Sequence, residues 1–198
     1  MTRVAGVPYE SFVNDELFAP LNAELAFRYA PHRRVDAATG YMPRWSPIRL
    51  ALWFLVPSWI YGSATGRYVA LQEFALDTAA IGGIVGAAEA FVPMLREMLS
   101  TEDGVLTAKS KREMLSLHSR GAAGIMSRAG VGLGWKRGEV DGAGFWNHEG
   151  GGAGFCSETR IYPQADLGIV VLMNLSQSVS LSKVCHGICE RLRRDATG

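Results

Sequence analysis

The chain has 198 residues, of which 48% are hydrophobic and 20% charged. That balance excludes a disordered chain, and the length allows one substantial core but not two full domains. A net charge of +1 gives no electrostatic basis for a nucleic-acid or membrane-surface partner.

Residues 7–20 predict a short amphipathic helix. Pro8 suits its first turn, Tyr9, Phe12, Val13 and Leu17 make one apolar face, and Pro20 stops it. From Arg28 to Arg67 the prolines 31, 43, 47 and 57 break regular structure. Leu50 to Ile60 is the most apolar run. Broken by Pro57, it falls short of the roughly 20 residues that cross a bilayer, and it predicts a buried segment or a pocket lining. No basic, apolar, small-residue leader opens the sequence, so the expectation for the chain as given is a cytoplasmic protein. Gly82-Gly83 then leads toward two helices, Ala87 to Leu99 and Thr107 to His118, the first without a capping hydroxyl because Gly86-Ala87 stands at its start.

After Gly121 the period changes to two. Val131, Leu133 and Trp135 alternate with glycines, and Lys136-Arg137-Gly138 predicts a turn. Phe155 to Tyr162 alternates again, Pro163 to Asp166 turns, and Leu167 to Met173 predicts a buried strand, which makes a three-stranded antiparallel meander. A final helix, Val179 to Arg193, carries Leu181, Val184, Cys185, Ile188 and Leu192 on one stripe. The three cysteines, Cys156, Cys185 and Cys189, are an odd number and argue against a disulfide framework. Cys185, His186 and Cys189 are close in sequence, but a zinc site needs four ligands and no second cluster accompanies them. No metal and no cofactor is expected.

Between the first and second of these strands lies Gly144-Phe145-Trp146-Asn147-His148-Glu149-Gly150-Gly151-Gly152-Ala153-Gly154-Phe155, a lone imidazole between an aromatic pair and a glycine run. Glycines at that density mark a backbone that turns tightly or passes close to another group. The plain alternative for His148 is a strand-end histidine satisfied by a backbone carbonyl. For Trp135, Phe145 and Trp146 it is the core.

The stretch resembles the third active-site motif of the serine β-lactamase-like hydrolases, which include β-lactamases, penicillin-binding D-Ala-D-Ala peptidases and related esterases. That motif is Lys-Thr-Gly in the lactamases and often His-x-Gly in the esterase-like branches. Here His148-Glu149-Gly150 fills it, and Gly154-Phe155 falls where the relatives keep a Gly-Phe pair. Pro20-Leu21 agrees with the family's Pro-Leu-Gly-Met, although Asn22 and Ala23 replace its last two residues. Gly40-Tyr41, Gly82-Gly83, Tyr162-Pro163, Gly168 and Asn174 match further family features in the same order. The resemblance implies an α+β fold, an antiparallel sheet packed with helices, like the C-terminal half of the β-lactamase-like fold. Residues 1–198 would form a single partial domain, mostly helical and irregular over 1–120, with a strand meander and C-terminal helix over 121–198.

By the same resemblance His148, Gly150 and Gly151 are catalytic. His148 would donate hydrogen bonds to substrate or to a catalytic tyrosine, and the Gly151 N–H would be half of an oxyanion hole, worth on the order of 3 kcal/mol. Glu149, Gly152 and Trp146 would contact substrate, with Glu149 disfavouring an anionic one unless it points away. Acyl transfer in the family also needs Ser-x-x-Lys and a Tyr-x-Asn or Tyr-x-Ser motif, both placed before the Pro-Leu segment. Neither stands there. Ser180-Leu181-Ser182-Lys183 follows the His148 motif and faces solvent on a helical wheel, and Tyr61-Gly62-Ser63 follows the Pro-Leu segment as a loop tyrosine. Two readings stay open. The chain is the C-terminal part of a hydrolase of a small-molecule ester, β-lactam or peptide, inactive alone because its serine is absent, or it is a non-catalytic remnant or partner-binding module. Both leave a sheet edge and a helical groove uncovered, which predicts self-association or docking of an N-terminal partner segment.

Overall fold

The computed structural model describes residues 2–29, 37–45, 57–72, 82–119, 130–152, 154–176 and 180–195. Most of the apolar run at 50–60 lies outside them; within them Ile60 is buried, whereas Trp59 is 60% exposed. No helix of the described residues is long and apolar enough to cross a membrane.

Two short helices open the chain, α1 (Thr2–Ala5) and α2 (Tyr9–Val13), and α2 runs on into a π-helical turn over Asn14–Phe18. Pro8 is the N-cap of α2 rather than a residue of its first turn. Phe18, 1% exposed, anchors a small core with Ala23 and Leu25, against which Val13, Leu17 and Phe27 pack. The proline-broken region is not wholly irregular. It contains β1 (Tyr41–Pro43), β2 (Tyr61–Thr65) and β3 (Tyr68–Leu71), an antiparallel sheet in the order β1-β3-β2. Tyr61 and Ser63 are therefore strand residues, not loop residues.

A 3-10 turn at Ala88–Phe91, with no side-chain cap at Ala87, leads into α3 (Val92–Leu99). Next comes α4 (Ala108–Met114), capped by the Thr107 hydroxyl, which accepts the Ser110 N–H at 3.1 Å. Between the two helices Glu97 accepts the Leu106 N–H at 3.0 Å and the buried Lys111 ammonium at 3.2 Å. Burial works against the Glu97 charge, but the Leu106 N–H and Lys111 outweigh it and hold the carboxyl below its ordinary value of 4.5. A carboxyl depressed in the folded state stabilises the fold above its unfolded pKa, and that stabilisation disappears as pH falls through the folded one. Glu97→Gln should therefore melt lower at neutral pH and show a shallower loss below about pH 4.5 than the wild type. Calorimetry across that range checks it; parallel acid limbs would refute it.

The larger sheet has four strands, not three: β4 (Lys136–Val140), β5 (Ala143–Gly152), β6 (Phe155–Tyr162) and β7 (Leu167–Met173), antiparallel in that order. Residues 131–135 are a tight irregular turn, in which Gly132 N–H reaches the Trp135 carbonyl at 2.7 Å. The predicted turn at Lys136-Arg137-Gly138 is strand β4. The chain reverses instead at Asp141-Gly142, whose φ values of +49° and +74° fit a two-residue hairpin whose twist matches the flanking strands.

Both faces of this sheet are covered in part. On one, Leu95 and Met98 of α3 pack with Trp135, Trp146 and Ile161. On the other, α5 (Leu181–Asp195) packs Cys185 and Cys189 against Phe145, Tyr162 and Ile169. Only the ridge Leu181, Cys185, Cys189 is buried, whereas Val184, Ile188 and Leu192, expected on the buried stripe, are 41%, 37% and 46% exposed. Burial pushes the Cys185 thiol up to about 11.

Under α5 lies a buried polar network. Arg160 donates to Glu158 through Nε at 2.8 Å and through Nη2, to the Tyr162 hydroxyl at 3.1 Å and to Ser182 Oγ at 2.7 Å. Its guanidinium sits 3.9 Å from the centre of the Phe145 ring. Burial raises the Tyr162 pKa, opposed by the Arg160 charge.

The two sheets meet along main-chain atoms. Tyr41 N–H is shared between the carbonyls of Gly154 (3.1 Å) and Asn174 (3.0 Å), and Ser176 N–H returns to the Tyr41 carbonyl at 2.8 Å. Gly154 has φ +85°, and a Cβ there would stand 2.6 Å from the Gly40 carbonyl carbon.

Candidate active site

Strand β5 positions the site by simple alternation. Trp146, His148 and Gly150 lie opposite Ile161, Thr159 and Ser157 of β6, so these residues share the sheet face that α3 covers in part. Trp146 is 7% exposed and packs with Leu95, Met98 and Ile161, which anchors the strand. One pleat further along, beyond that packing, His148 is exposed. One pleat beyond it, a Cβ at Gly150 would lie 2.6 Å from Ser157 Oγ, so the glycine leaves room for that hydroxyl.

His148 Nδ1 lies 2.7 Å from the Gly134 carbonyl oxygen. A carbonyl can only accept, so Nδ1 carries the proton and the neutral ring keeps its lone pair on Nε2. The plain reading of a histidine satisfied by a backbone carbonyl thus holds for one nitrogen only. Nε2 has no hydrogen-bond partner among the described residues, and in the neutral ring it accepts a proton rather than donates one. Donation from Nε2 requires the imidazolium.

Glu149 projects to the opposite face. Its carboxylate takes the Lys136 ammonium at 2.7 Å, and its strand partner is Glu158 on the α5 side. Gly151 and Gly152 lie opposite Cys156 and Phe155, at the exposed end of β5. The residues singled out from sequence therefore divide. His148 and Gly150 share one open face, Trp146 lies in the core beside them, Glu149 turns away, and Gly151 and Gly152 form the strand end. The Gly134 carbonyl, Ser157 and Thr159 complete the open face and carry no motif.

The Ser-x-x-Lys at 180–183 forms the start of α5, on the other side of the sheet. Lys183 N–H bonds the Ser180 carbonyl at 3.0 Å and approaches its hydroxyl at 3.4 Å, and both side chains are exposed. The group is a helix start, remote from His148.

The Beta-lactamase family model matches residues 1–185. A comparison with curated proteins yields no match. Among solved structures, the D-amino acid amidase from Ochrobactrum anthropi SV3 superposes with a TM-score of 0.74 at 18% identity, covering 98% of this chain and 56% of that one. The octameric penicillin-binding protein homologue from Pyrococcus abyssi gives 0.68 at 18% identity, over 88% of this chain and 35% of its own. A class C beta lactamase from Rhodobacter sphaeroides gives 0.59 at 18% identity, over 89% and 52%. The chain thus spans between about a third and just over half of these structures' length. At such identities the likeness is one of fold, an α+β fold with an antiparallel sheet and packed helices. The family match, which takes in nearly the whole sequence and the His148 strand with it, establishes that the chain belongs to the Beta-lactamase family.

Proposed function

We propose that the chain is the C-terminal part of a β-lactamase-like serine hydrolase and supplies one wall of an acyl-transfer site whose serine nucleophile is absent from its sequence. The observation that carries this reading is the exposed His148, its Nδ1 held by the Gly134 carbonyl at 2.7 Å and its Nε2 without a hydrogen-bond partner among the described residues. In the assembled site the Nε2 lone pair takes the proton that the attacking serine, or in the second half of the reaction water, gives up as it bonds to the acyl carbon, directly or through a catalytic tyrosine, and the imidazolium returns it to the departing group. The Gly151 N–H serves the developing oxyanion, a contribution of about 3 kcal/mol.

The substrate class is a small ester, β-lactam or D-amino-acid amide. The amidase and β-lactamase neighbours support that range. Because Glu149 is bound to Lys136 on the opposite face, its carboxylate does not stand against a substrate's own carboxylate on the His148 side. The competing reading, a non-catalytic module that binds a partner or a second copy, draws support from Phe155 and Leu172, apolar and 36% and 42% exposed on the His148 face.

A fluorophosphonate probe tests the proposal. The chain alone should show no labelled serine. Mixed with, or fused behind, a segment carrying Ser-x-x-Lys followed by Tyr-x-Asn or Tyr-x-Ser, it should support stoichiometric labelling of that one serine. In that assembly His148→Gln should slow ester turnover about 100-fold. Labelling of Ser180 in the chain alone would overturn the proposal, and an assembled pair that stays unlabelled would favour the non-catalytic module.

A further inference from the structure

Away from the His148 face, the Asp141-Gly142 turn of the β4–β5 hairpin meets the flank of α5. We propose that Asp141, His186 and Glu190 at this junction form a zinc site that clips the helix to the hairpin. The site is independent of the acyl-transfer proposal. His186 Nε2 lies 3.3 Å from Asp141 Oδ2 and 3.7 Å from Glu190 Oε1. All three donor atoms lie within 4.8 Å of one another. Around a tetrahedral Zn²⁺ with bonds of about 2.0–2.2 Å, neighbouring ligand atoms stand about 3.3–3.6 Å apart. Two of the three edges are already close to that separation, and a small rotation of the Glu190 side chain would close the third.

The charge and the scaffold agree with this. Two carboxylates and a neutral imidazole carry a charge of −2, matched by a dication, and three protein ligands leave a fourth position for water. The rotation of α5 is fixed by its buried ridge of Leu181, Cys185 and Cys189. That sets His186 and Glu190, one turn apart, on a common face toward the hairpin. The same rotation turns Cys185 and Cys189 into the core, so the ligands are not the Cys-His-Cys set that adjacency in sequence suggests. Arg194 holds the other Glu190 oxygen, Oε2, at 3.3 Å and so orients Oε1 toward His186. The side chains of His186, Glu190 and Asp141 are 28%, 46% and 76% exposed, which gives an ion a path from solvent.

The test uses the full chain. Titration with Zn²⁺, followed calorimetrically, should show one equivalent bound, and Co²⁺ in its place should give the visible bands of a tetrahedral oxygen–nitrogen site without a thiolate charge-transfer band. Asp141→Asn keeps a residue that tolerates the left-handed backbone, and His186→Gln keeps the helix. Each should weaken Zn²⁺ binding at least tenfold and abolish the rise in melting temperature that Zn²⁺ gives the wild type, whereas His118→Gln should change neither. Absence of a one-to-one Zn²⁺ complex at submillimolar metal, a thiolate band with Co²⁺, or unchanged binding in both variants would overturn the site. The three side chains would then be a hydrogen-bonded surface cluster only.

Discussion

Arg160→Met should lower the unfolding free energy by about 3–5 kcal/mol, the loss expected when one partner of a buried ion pair is removed and the other stays charged. Arg160 and Glu158 are both fully buried. Glu158 Oε2 makes no hydrogen bond among the described residues, and Oε1 relies on Arg160 apart from a 3.4 Å contact with Asn147 Nδ2. Removing the guanidinium also takes one partner from the Tyr162 hydroxyl and cuts the link to Ser182 that ties α5 to the sheet. A domain of this size has about 5–15 kcal/mol in total, so the variant should be marginal at room temperature. The double variant Glu158→Gln, Arg160→Met should recover most of the loss, because no unpaired charge remains in the interior. Urea unfolding monitored by tryptophan fluorescence measures both variants against the wild type. A single-variant loss under about 1 kcal/mol would mean that water reaches Glu158 and that the pair is not the closed network described here.

Gly154→Ala should be the other severe substitution, although it adds one methyl group. Its Cβ would stand 2.6 Å from the Gly40 carbonyl carbon and 2.7 Å from Gly40 Cα and Tyr41 N, all main-chain atoms that no rotamer change can move. Overpacking of this kind costs about 1–3 kcal/mol, and the left-handed φ of +85° adds about 1 kcal/mol or more for a residue with a side chain. Gly142→Ala is the control. Its φ of +74° carries the same backbone strain, but nothing lies within 4 Å of the added methyl. The difference in unfolding free energy between the two variants should be at least about 1 kcal/mol, and equal losses would show that the two sheets are not held at Gly154.

Helices and the last two strands were legible because their signals are side-chain signals. Thr107, the Gly86-Ala87 pair and the prolines marked helix ends, alternation marked β6, and a continuous apolar run marked β7, at the residues where the strands lie. Strand β4 was hidden because its neighbours require it to lack β-forming side chains. A Cβ on Gly138, at the centre of the strand, would strike the Phe145 ring. The resulting Lys-Arg-Gly imitates a turn, while the true turn, Asp141-Gly142, stood three residues further on. On α5 a helical wheel collects every apolar residue within a wide arc, but a sheet buries only the ridge that touches it. Val184, Ile188 and Leu192 were therefore indistinguishable from Leu181 and Cys185 until the contact was seen.

At the candidate site the histidine and the glycine run were legible. The group that sets the histidine's proton was not, because the Gly134 carbonyl belongs to the backbone and leaves no trace in residue type. Asp141 was equally out of reach. Its relation to His186 is created by the hairpin and helix meeting in space, and nothing in the order of residues expresses it.

The alternation of β5 has a consequence for how this site is inherited. His148-Glu149-Gly150 looks like one word, yet its letters answer to different surroundings. Positions 148 and 150 answer to Gly134, Ser157 and whatever occupies the open face, while position 149 answers to Lys136 across the strand pair. Among descendants of this sequence, exchanges at 149 should therefore travel with exchanges at 136, charge for charge, and leave 148 and 150 undisturbed. A lineage could invert that ion pair or lose it altogether and keep the residues of the other face unaltered.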